Sequence, residues 1–212
     1  MMMKSEMKLY NIDNDFEKSL ISLHKMYSEG KVFILPTDIV YCIAGNPFNE
    51  KALNRLKSDF FNENDFSNPT LLIDSISNLL KFIDIESERH LDLLISLWPN
   101  PIDVVFNLNL KYRAILGFDK AAFRIPNHRF CLRFLTEIKS PVFIVPVNLN
   151  HHFSSESYEI LKDKYQNKID GLYYSNKESF YFEPSVVDLC SYKPFLIKEN
   201  KIKLLDILDK YS

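Results

Sequence analysis

Apolar residues fall into two kinds of run, and the two kinds alternate along the chain. Apolar positions at helical spacing predict amphipathic helices, which cover about residues 14–28, 50–59, 75–82, 87–97, 128–138, 155–165 and 202–211. Shorter continuous apolar runs predict strands at 32–35, 39–44, 70–73, 104–108, 121–125, 142–147, 171–174, 185–189 and 195–198. No repeat and no Pro-, Gly- or Ser-rich linker interrupts this order, so we expect one α/β domain with a mixed sheet.

Turn and capping residues separate several of these elements. Asn49 has the side chain to cap a helix that begins at Glu50. Gly117 lies between the apolar runs 104–108 and 121–125, and we expect a turn there that joins them as an antiparallel hairpin. Residues 60–69 have loop composition, which predicts a surface loop.

Residues 32–46 are the most informative segment. An apolar run ends at Pro36, the polar pair Thr37 and Asp38 follows, and a second apolar run is closed by Gly45. This order places a hydroxyl and a carboxylate at the end of a strand, where ligands usually bind in open α/β sheets. The residues alone leave two interpretations open, a binding turn or an ordinary Pro/Asp turn beside a buried strand.

Polar side chains lie at the ends of three other predicted strands. Arg124 ends one of them and can clamp a carboxylate or phosphate, or pair with a neighbouring acid of the sheet. Asn148 ends another and can bind a ligand or satisfy a turn. Ser185 and Asp188 place a hydroxyl and a carboxylate at the two ends of a third. All four residues are candidates for a site.

Composition narrows the chemistry of such a site. The net charge is −2 and the basic residues are dispersed, which argues against a broad nucleic-acid footprint but leaves a local patch open. With four glycines, none within six positions of another, the chain contains neither a GxGxxG fingerprint nor a P-loop. Any phosphate would therefore be held by side chains and isolated backbone amides.

Cysteine and histidine positions bear on metals and on cellular location. The three cysteines, Cys42, Cys131 and Cys190, are far apart, and neighbouring His151 and His152 would diverge in an extended segment, so we expect no metal site. Scattered cysteines indicate reduced thiols. Residues 1–10 lack the apolar core of a signal peptide, and no apolar run approaches the roughly 20 residues that span a bilayer. We therefore expect a cytoplasmic protein without a membrane partner.

Six landmarks occur in an order that resembles the YrdC family of threonylcarbamoyl-adenylate synthases over roughly residues 7–200. Each corresponds to a family motif: Pro36-Thr-Asp-Ile-Val-Tyr-Cys-Ile43, Asn68-Pro-Thr-Leu-Leu-Ile73, Trp98-Pro-Asn-Pro-Ile-Asp103, Arg124-Ile-Pro-Asn-His128, Pro146-Val-Asn148 and Pro184-Ser-Val-Val-Asp188. In the last two, Pro146 and Pro184 replace the serine with which the family motif begins.

The resemblance implies a fold and an activity. The fold would be a YrdC-like domain over residues 7–200, with a twisted mixed parallel and antiparallel sheet flanked by helices and a C-terminal helix over 201–212. The activity would convert L-threonine, bicarbonate and ATP into threonylcarbamoyl-adenylate and pyrophosphate with Mg²⁺. That product serves the biosynthesis of threonylcarbamoyladenosine in tRNA, so tRNA or other proteins of the pathway are implied partners.

The resemblance also assigns roles to residues. Thr37, Lys57 and Arg124 would bind substrate, and Asn148 and Ser185 would bind the nucleotide. The family's basic Lys-x-Arg pair is incomplete here. Aligned without a gap, its positions hold Phe60 and Asn62; a shifted alignment supplies Lys57 for the lysine and sets Asp59 against the arginine.

Two further features of the sequence concern the charge and the space around this site. Arg113 and Lys120 are candidates, with Lys57, to replace the missing positive charge. Cys42 occupies a position where the family usually has glycine, which adds a side chain at the ligand surface. A second hypothesis is therefore a non-catalytic relative that uses the fold to bind a nucleotide, RNA or a protein partner.

Overall fold

A computed structural model describes residues 6–61, 68–83, 88–147, 158–176, 183–200 and 204–208. The strands, numbered β1 to β10 in chain order, are Lys8–Asn11, Phe33–Pro36, Tyr41–Gly45, Thr70–Leu72, Ile102–Asn107, Lys120–Arg124, Val142–Pro146, Gly171–Tyr174, Ser185–Asp188 and Phe195–Lys198. The helices, numbered α1 to α8, are Phe16–Ser28, Glu50–Asp59, Ile76–Leu79, Glu88–Leu97, Leu110–Leu116, Arg129–Ile138, Tyr158–Tyr165 and Leu205–Leu208.

The ten strands form one sheet in the order β1-β8-β2-β3-β7-β4-β6-β5-β9-β10. Four neighbouring pairs are parallel (β1 with β8, β8 with β2, β4 with β6, and β5 with β9), and the other five are antiparallel. The prediction of one α/β domain with a mixed sheet flanked by helices is confirmed. The boundaries at residues 7 and 200 stay a prediction, and most of the predicted C-terminal helix lies outside the described residues.

Side chains alternate across the strands and give the sheet two faces, each with its own core. The first face includes Ile34, Ile43 and Phe123, and all the helices except α1 and α6 contribute apolar side chains to its core. The second face includes Leu35 and Leu72, and helices α1 and α6 cover it.

Helices cover the second face only in part. Its core contains no side chain of β5, β6, β9 or β10 among the residues that the structure describes. Because no side chain of α1 or α6 is shown against it, we call the second face of these four strands the open half-face, although Val105 and Ala122 on it are themselves buried. It lies beside the β2–β3 turn that the sequence singled out, because β6 carries Arg124 toward that turn.

The structure corrects the prediction between β5 and β6. The two strands are antiparallel, as expected, but helix α5 joins them in place of a simple turn. Asn109 caps this helix, and Gly117 ends it in the left-handed conformation at φ +70°. The residues of α5 mix apolar and basic side chains over fewer than two heptads, so their periodicity alone was too short to predict a helix. Strand β1 was also not predicted, since its side chains at the sheet edge are polar or half-exposed.

The Asn49 cap provides a test of the local architecture. Its Oδ1 accepts a hydrogen bond of 3.2 Å from the backbone N–H of Ala52 at the start of α2, as the sequence predicted. We expect Asn49→Ala to lower the free energy of unfolding by about 1 kcal/mol, as measured by urea denaturation. Asn49→Ser should retain most of the stability, and Lys51→Ala on the exposed side of the same turn should change it little. Equal losses for Asn49→Ala and Asn49→Ser would contradict a capping role.

Candidate functional site: the turn after strand β2 and the open half-face

The turn between β2 and β3 is closed by the side chain of Thr37. Its hydroxyl donates a hydrogen bond of 2.7 Å to the carbonyl of Val40 and accepts bonds of 3.2 Å from the backbone N–H groups of Ile39 and Val40. Thr37 is buried. Its hydroxyl therefore shapes the turn in this structure, and the predicted contact of Thr37 with a substrate stays a prediction.

A buried ionic cluster lies beneath this turn. Arg124 is 2% exposed, and its guanidinium donates from Nη1 to Asp103 Oδ1 at 3.0 Å. Its Nε lies 3.9 Å from Asp38 Oδ1, and the other carboxylate oxygen of Asp38 accepts a 3.2 Å bond from the backbone N–H of Asn127. Of the two sequence-based alternatives for Arg124, the structure shows the pairing with neighbouring acids.

Strand register brings these groups together. Phe123 packs on the first face opposite Val104, so their neighbours Arg124 and Asp103 both point to the second face. The β2–β3 hairpin then supplies Asp38 from its turn. Three segments that are remote in sequence thus place one guanidinium between two carboxylates.

The charge balance of this cluster is unusual, because a single cation faces two acids out of contact with water. Burial raises the pKa of Asp103 above its ordinary value, although Arg124 opposes the shift. Burial would lower the pKa of Arg124, but Asp103 and Asp38 outweigh it and the pKa of Arg124 is raised. The guanidinium therefore remains charged, while a proton is held more readily by Asp103 than by an exposed aspartate.

Two atoms of the cluster lack hydrogen-bond partners. Asp38 Oδ1, an acceptor, and Arg124 Nε, a donor, are both buried and unpaired, and their 3.9 Å separation is too long for a direct hydrogen bond. Such groups are costly and recur at functional sites.

Nearby Cys42 is also buried, and burial raises the pKa of its thiol to about 12, so it is not a nucleophile at neutral pH.

The other predicted site residues do not join this cluster. Ser185 lies on the same face as Ile102, the first face, and its hydroxyl accepts a 3.0 Å bond from the backbone N–H of Asn200. Lys57 lies in the helical layer over the first face, where its ammonium group donates to the carbonyl of Leu116 and sits 4.4 Å from the centroid of the Phe118 ring. Asn148 lies outside the described residues. The binding roles of these three residues stay predictions.

The two additional candidate cations differ in position. Arg113 on α5 donates from Nε to the carbonyl of Leu108. Lys120 shares the second face with Arg124, because the two residues are four apart on β6. Its ammonium nitrogen lies 3.6 Å from Asp188 Oδ2. Lys120 is therefore the one of the three candidates that the described structure places on the open half-face.

Sequence reasoning gave Asp103 no role. It was noted as the last residue of a motif, but an acidic residue within an apolar strand was itself a signal, because a buried carboxylate requires a cationic or hydrogen-bonding partner. Only the register between β5 and β6 identifies Arg124 as that partner.

Two further kinds of feature, metal-binding clusters and membrane-spanning helices, concern the described part of the chain. No group of three or more His, Cys, Asp or Glu side chains that could hold a metal ion occurs there. Within the same residues, no helix is both long and apolar enough to cross a membrane.

The fold and this turn define an α/β protein whose mixed sheet carries a buried acid–arginine cluster beside an open half-face. The Sua5/YciO/YrdC family, described as "Telomere recombination", matches residues 25–199. Since this match covers most of the chain, the protein belongs to the Sua5/YciO/YrdC family, and the resemblance stated from the motifs is confirmed.

Two curated relatives are threonylcarbamoyl-AMP synthases. The one from Pyrococcus abyssi is 24% identical over 185 residues, covering 84% of this chain and 53% of the relative. The one from Pseudoalteromonas translucida is 26% identical over 166 residues, covering 76% of this chain and 87% of the relative. The chain thus spans about half the length of the Pyrococcus protein.

Solved structures of two proteins share the fold. Escherichia coli YciO superposes with a TM-score of 0.78 at 16% identity, covering 95% of this chain and 98% of that one. Pyrococcus abyssi Sua5 complexed with L-threonine gives a TM-score of 0.74 at 22% identity, covering 90% of this chain and 56% of that one. At these identities the likeness concerns the fold alone.

Removing the cation from the cluster tests its role in stability. Arg124→Met would leave Asp38 and Asp103 buried without their cation, and breaking such a pair typically costs about 3–5 kcal/mol. We expect this loss in urea unfolding at pH 7. Adding Asp103→Asn to Arg124→Met should restore part of it, because one uncompensated carboxylate disappears. A double variant less stable than Arg124→Met would contradict the ionic interpretation.

The raised pKa of Asp103 predicts the sign of a pH dependence. An unfolded aspartate has a pKa of about 3.9. Below that pH the carboxyl of Asp103 is protonated in both the folded and the unfolded protein. As the pH rises from there to the higher pKa of the folded protein, the unfolded chain ionises first, and the stability of the folded protein falls. We therefore expect Asp103→Asn to gain stability relative to the wild type as the pH is raised from about 4.

The measurement is the urea midpoint of both proteins across this pH range. Asp15→Asn, a change at an exposed carboxylate, is the matched control and should follow the wild type. A stability difference between Asp103→Asn and the wild type that is constant with pH would refute the raised pKa.

Proposed function

We propose that the chain is a threonylcarbamoyl-adenylate synthase that acts in the biosynthesis of threonylcarbamoyladenosine in tRNA. The observation that carries the proposal is the family match over residues 25–199 together with curated relatives of that activity covering up to 84% of the chain. Its substrates would be L-threonine, bicarbonate and ATP. The alternative, a non-catalytic relative that binds a nucleotide, RNA or a protein partner, becomes an outcome of the test.

The reaction consists of two bond-forming steps. The amine of threonine attacks the carbon of CO₂ derived from bicarbonate, loses a proton and becomes a carbamate. A carbamate oxygen then attacks the α-phosphorus of ATP, and the bond from that phosphorus to the bridging oxygen breaks to release pyrophosphate. Both steps depend chiefly on positioning and charge neutralisation, since no covalent enzyme intermediate is required.

We place the threonine site at the β2–β3 turn. The unpaired donor Arg124 Nε and the unpaired acceptor Asp38 Oδ1 match the carboxylate and the amine of an amino acid. Because neither atom is accessible to solvent, threonine would reach them only if the turn over residues 37–40 moves outward. A solved relative, Pyrococcus abyssi Sua5, is complexed with L-threonine, which supports threonine as the substrate class.

The phosphates would lie on the open half-face beside this turn. Lys120 supplies a cation there, and Asp188 is a carboxylate on the same face. Mg²⁺ commonly binds through one or two carboxylates together with substrate phosphates. Asp188 fits as such a ligand, and the ion would then neutralise phosphate charge when ATP is bound.

An activity assay tests this function. Purified protein with ATP, labelled bicarbonate, L-threonine and Mg²⁺ should form threonylcarbamoyl-adenylate and pyrophosphate, and omission of threonine should abolish both. A folded sample that produces neither would refute the catalytic proposal and favour a binding role.

The variant Asp38→Asn tests the proposed threonine site. Hydrogen bonds to charged groups contribute about 1.5–3 kcal/mol, so Asp38→Asn should raise the KM for threonine by roughly tenfold or more. The KM for ATP should change much less. Lys18→Ala, at an exposed position of α1, is the control. Parallel increases in both KM values would place Asp38 outside the threonine site.

A further inference from the structure

The start of helix α6 contacts the β2–β3 turn at two points. The Cys131 thiol donates a hydrogen bond of 2.8 Å to the carbonyl of Pro36, the last residue of β2. Four residues earlier, the backbone N–H of Asn127 donates a bond of 3.2 Å to Asp38 Oδ2. Cys131 is 2% exposed, so its bond is made out of contact with water. One end of one helix thus holds the residues on both sides of Thr37.

The geometry of the hairpin explains why the Pro36 carbonyl is available to a side chain. The backbone N–H of Thr37 donates to the carbonyl of Val40 at 3.1 Å, so these two residues form a hydrogen-bonded pair. Such pairs alternate with non-bonded pairs along an antiparallel ladder, and the next pair is Pro36 with Tyr41. The carbonyls of Pro36 and Tyr41 therefore point out of the hairpin, toward donors on other elements.

Two neighbouring elements supply these donors and fix the two ends of the turn. On one side, the backbone N–H of Val147, the residue after β7, donates to the Tyr41 carbonyl at 2.9 Å. On the other side, the Cys131 thiol donates to the Pro36 carbonyl. The first anchor is a backbone bond that any residue except proline can make, whereas the second depends on the side chain of Cys131.

The thiol is itself held in place by its helix. The side chain of His128 caps α6, and its Nδ1 accepts a 3.3 Å bond from the backbone N–H of Cys131. The next residues on the same side of α6, Phe134 and Leu135, are buried in the core of the second face. Cys131 therefore has little freedom to follow the turn, and its bond fixes Pro36 relative to the sheet.

We propose that Cys131 is a positioning residue for threonine, because it anchors the end of the turn that carries Asp38. This inference rests on the proposed function, which places the amine of threonine at Asp38. With Pro36 and Tyr41 held, the outward movement that admits threonine is confined to residues 37–40. Loss of the Cys131 anchor adds freedom that threonine binding must remove, so the affinity for threonine falls.

Steady-state kinetics on variants of the full chain test this role. Cys131→Val removes the donor and retains an apolar side chain, whereas Cys131→Ser retains a donor. One hydrogen bond corresponds to a factor of roughly two to ten in an equilibrium constant. Cys131→Val should raise the KM for threonine by about that factor and change kcat and the KM for ATP much less. Cys131→Ser should recover most of the wild-type KM.

Ile138→Val is the matched control, because Ile138 packs against the same core at the other end of α6. It should lower the urea midpoint without changing either KM. An equal rise in the threonine KM for Ile138→Val and Cys131→Val would overturn the positioning role, and so would a lower threonine KM in Cys131→Val. Cys131→Ala carries the same comparison if the valine variant does not fold.

Amide hydrogen exchange gives a measurement that does not need the reaction. The backbone N–H groups of Thr37, Ile39 and Val40 are all bonded within the turn. Relative to the amides of α1, their exchange should be faster in Cys131→Val than in the wild type, and it should be unchanged in Cys131→Ser. Equal exchange in the wild type and Cys131→Val would overturn the anchor.

The outcomes separate this inference from the proposed function. If the wild type forms product and Cys131→Val leaves the threonine KM and the turn amides unchanged, the anchor is wrong and the function stands. If the wild type forms no product, calorimetry with L-threonine makes the same comparison. Weaker binding in Cys131→Val than in Cys131→Ser then supports the anchor without the reaction, and no binding by any of these proteins overturns both.

Discussion

The ion pair between Arg124 and Asp103 is the constraint on which the candidate site depends. It is buried at the border between the helix-covered and open parts of the second face, and it links the central strands β6 and β5 to the β2–β3 turn through Asp38. A guanidinium in this environment stays charged, because loss of its proton would leave an uncompensated carboxylate inside the protein. The position of the turn is therefore coupled to the register of strands that are far away in sequence.

The same arrangement gathers charged side chains on one part of the sheet without a glycine-rich loop. Helices α1 and α6 pack on the second face of the other strands, and among the described residues their core includes no side chain of β6, β5, β9 or β10. Alternation along β6 and β5 sends Phe123 and Val104 into the first-face core and places Lys120, Arg124 and Asp103 on the open half-face, together with the apolar residues Ala122 and Val105. Charged groups therefore collect on this side without any glycine-rich segment.

Sequence reasoning succeeded where local periodicity was strong. The apolar runs predicted nine of the strands, and the Asn49 cap fixed the start of α2. It failed at α5, which is short and of mixed composition, and at β1, whose edge position gives no apolar alternation. The motifs located the β2–β3 turn and Arg124 as important positions. They gave no partner for Arg124, because pairing between strands that are remote along the chain is not encoded by local spacing.

By itself, the sequence determined the order of strands and helices, the absence of a glycine-rich phosphate loop, and the likeness to a family whose match now spans residues 25–199. These properties depend on residue type and local order, which the chain states directly. The tertiary structure decided that Thr37 closes its own turn, that Ser185 faces away from Arg124, and that Asp188 and Lys120 share a surface. These facts depend on register, because a shift of one residue moves a side chain to the other face of a sheet.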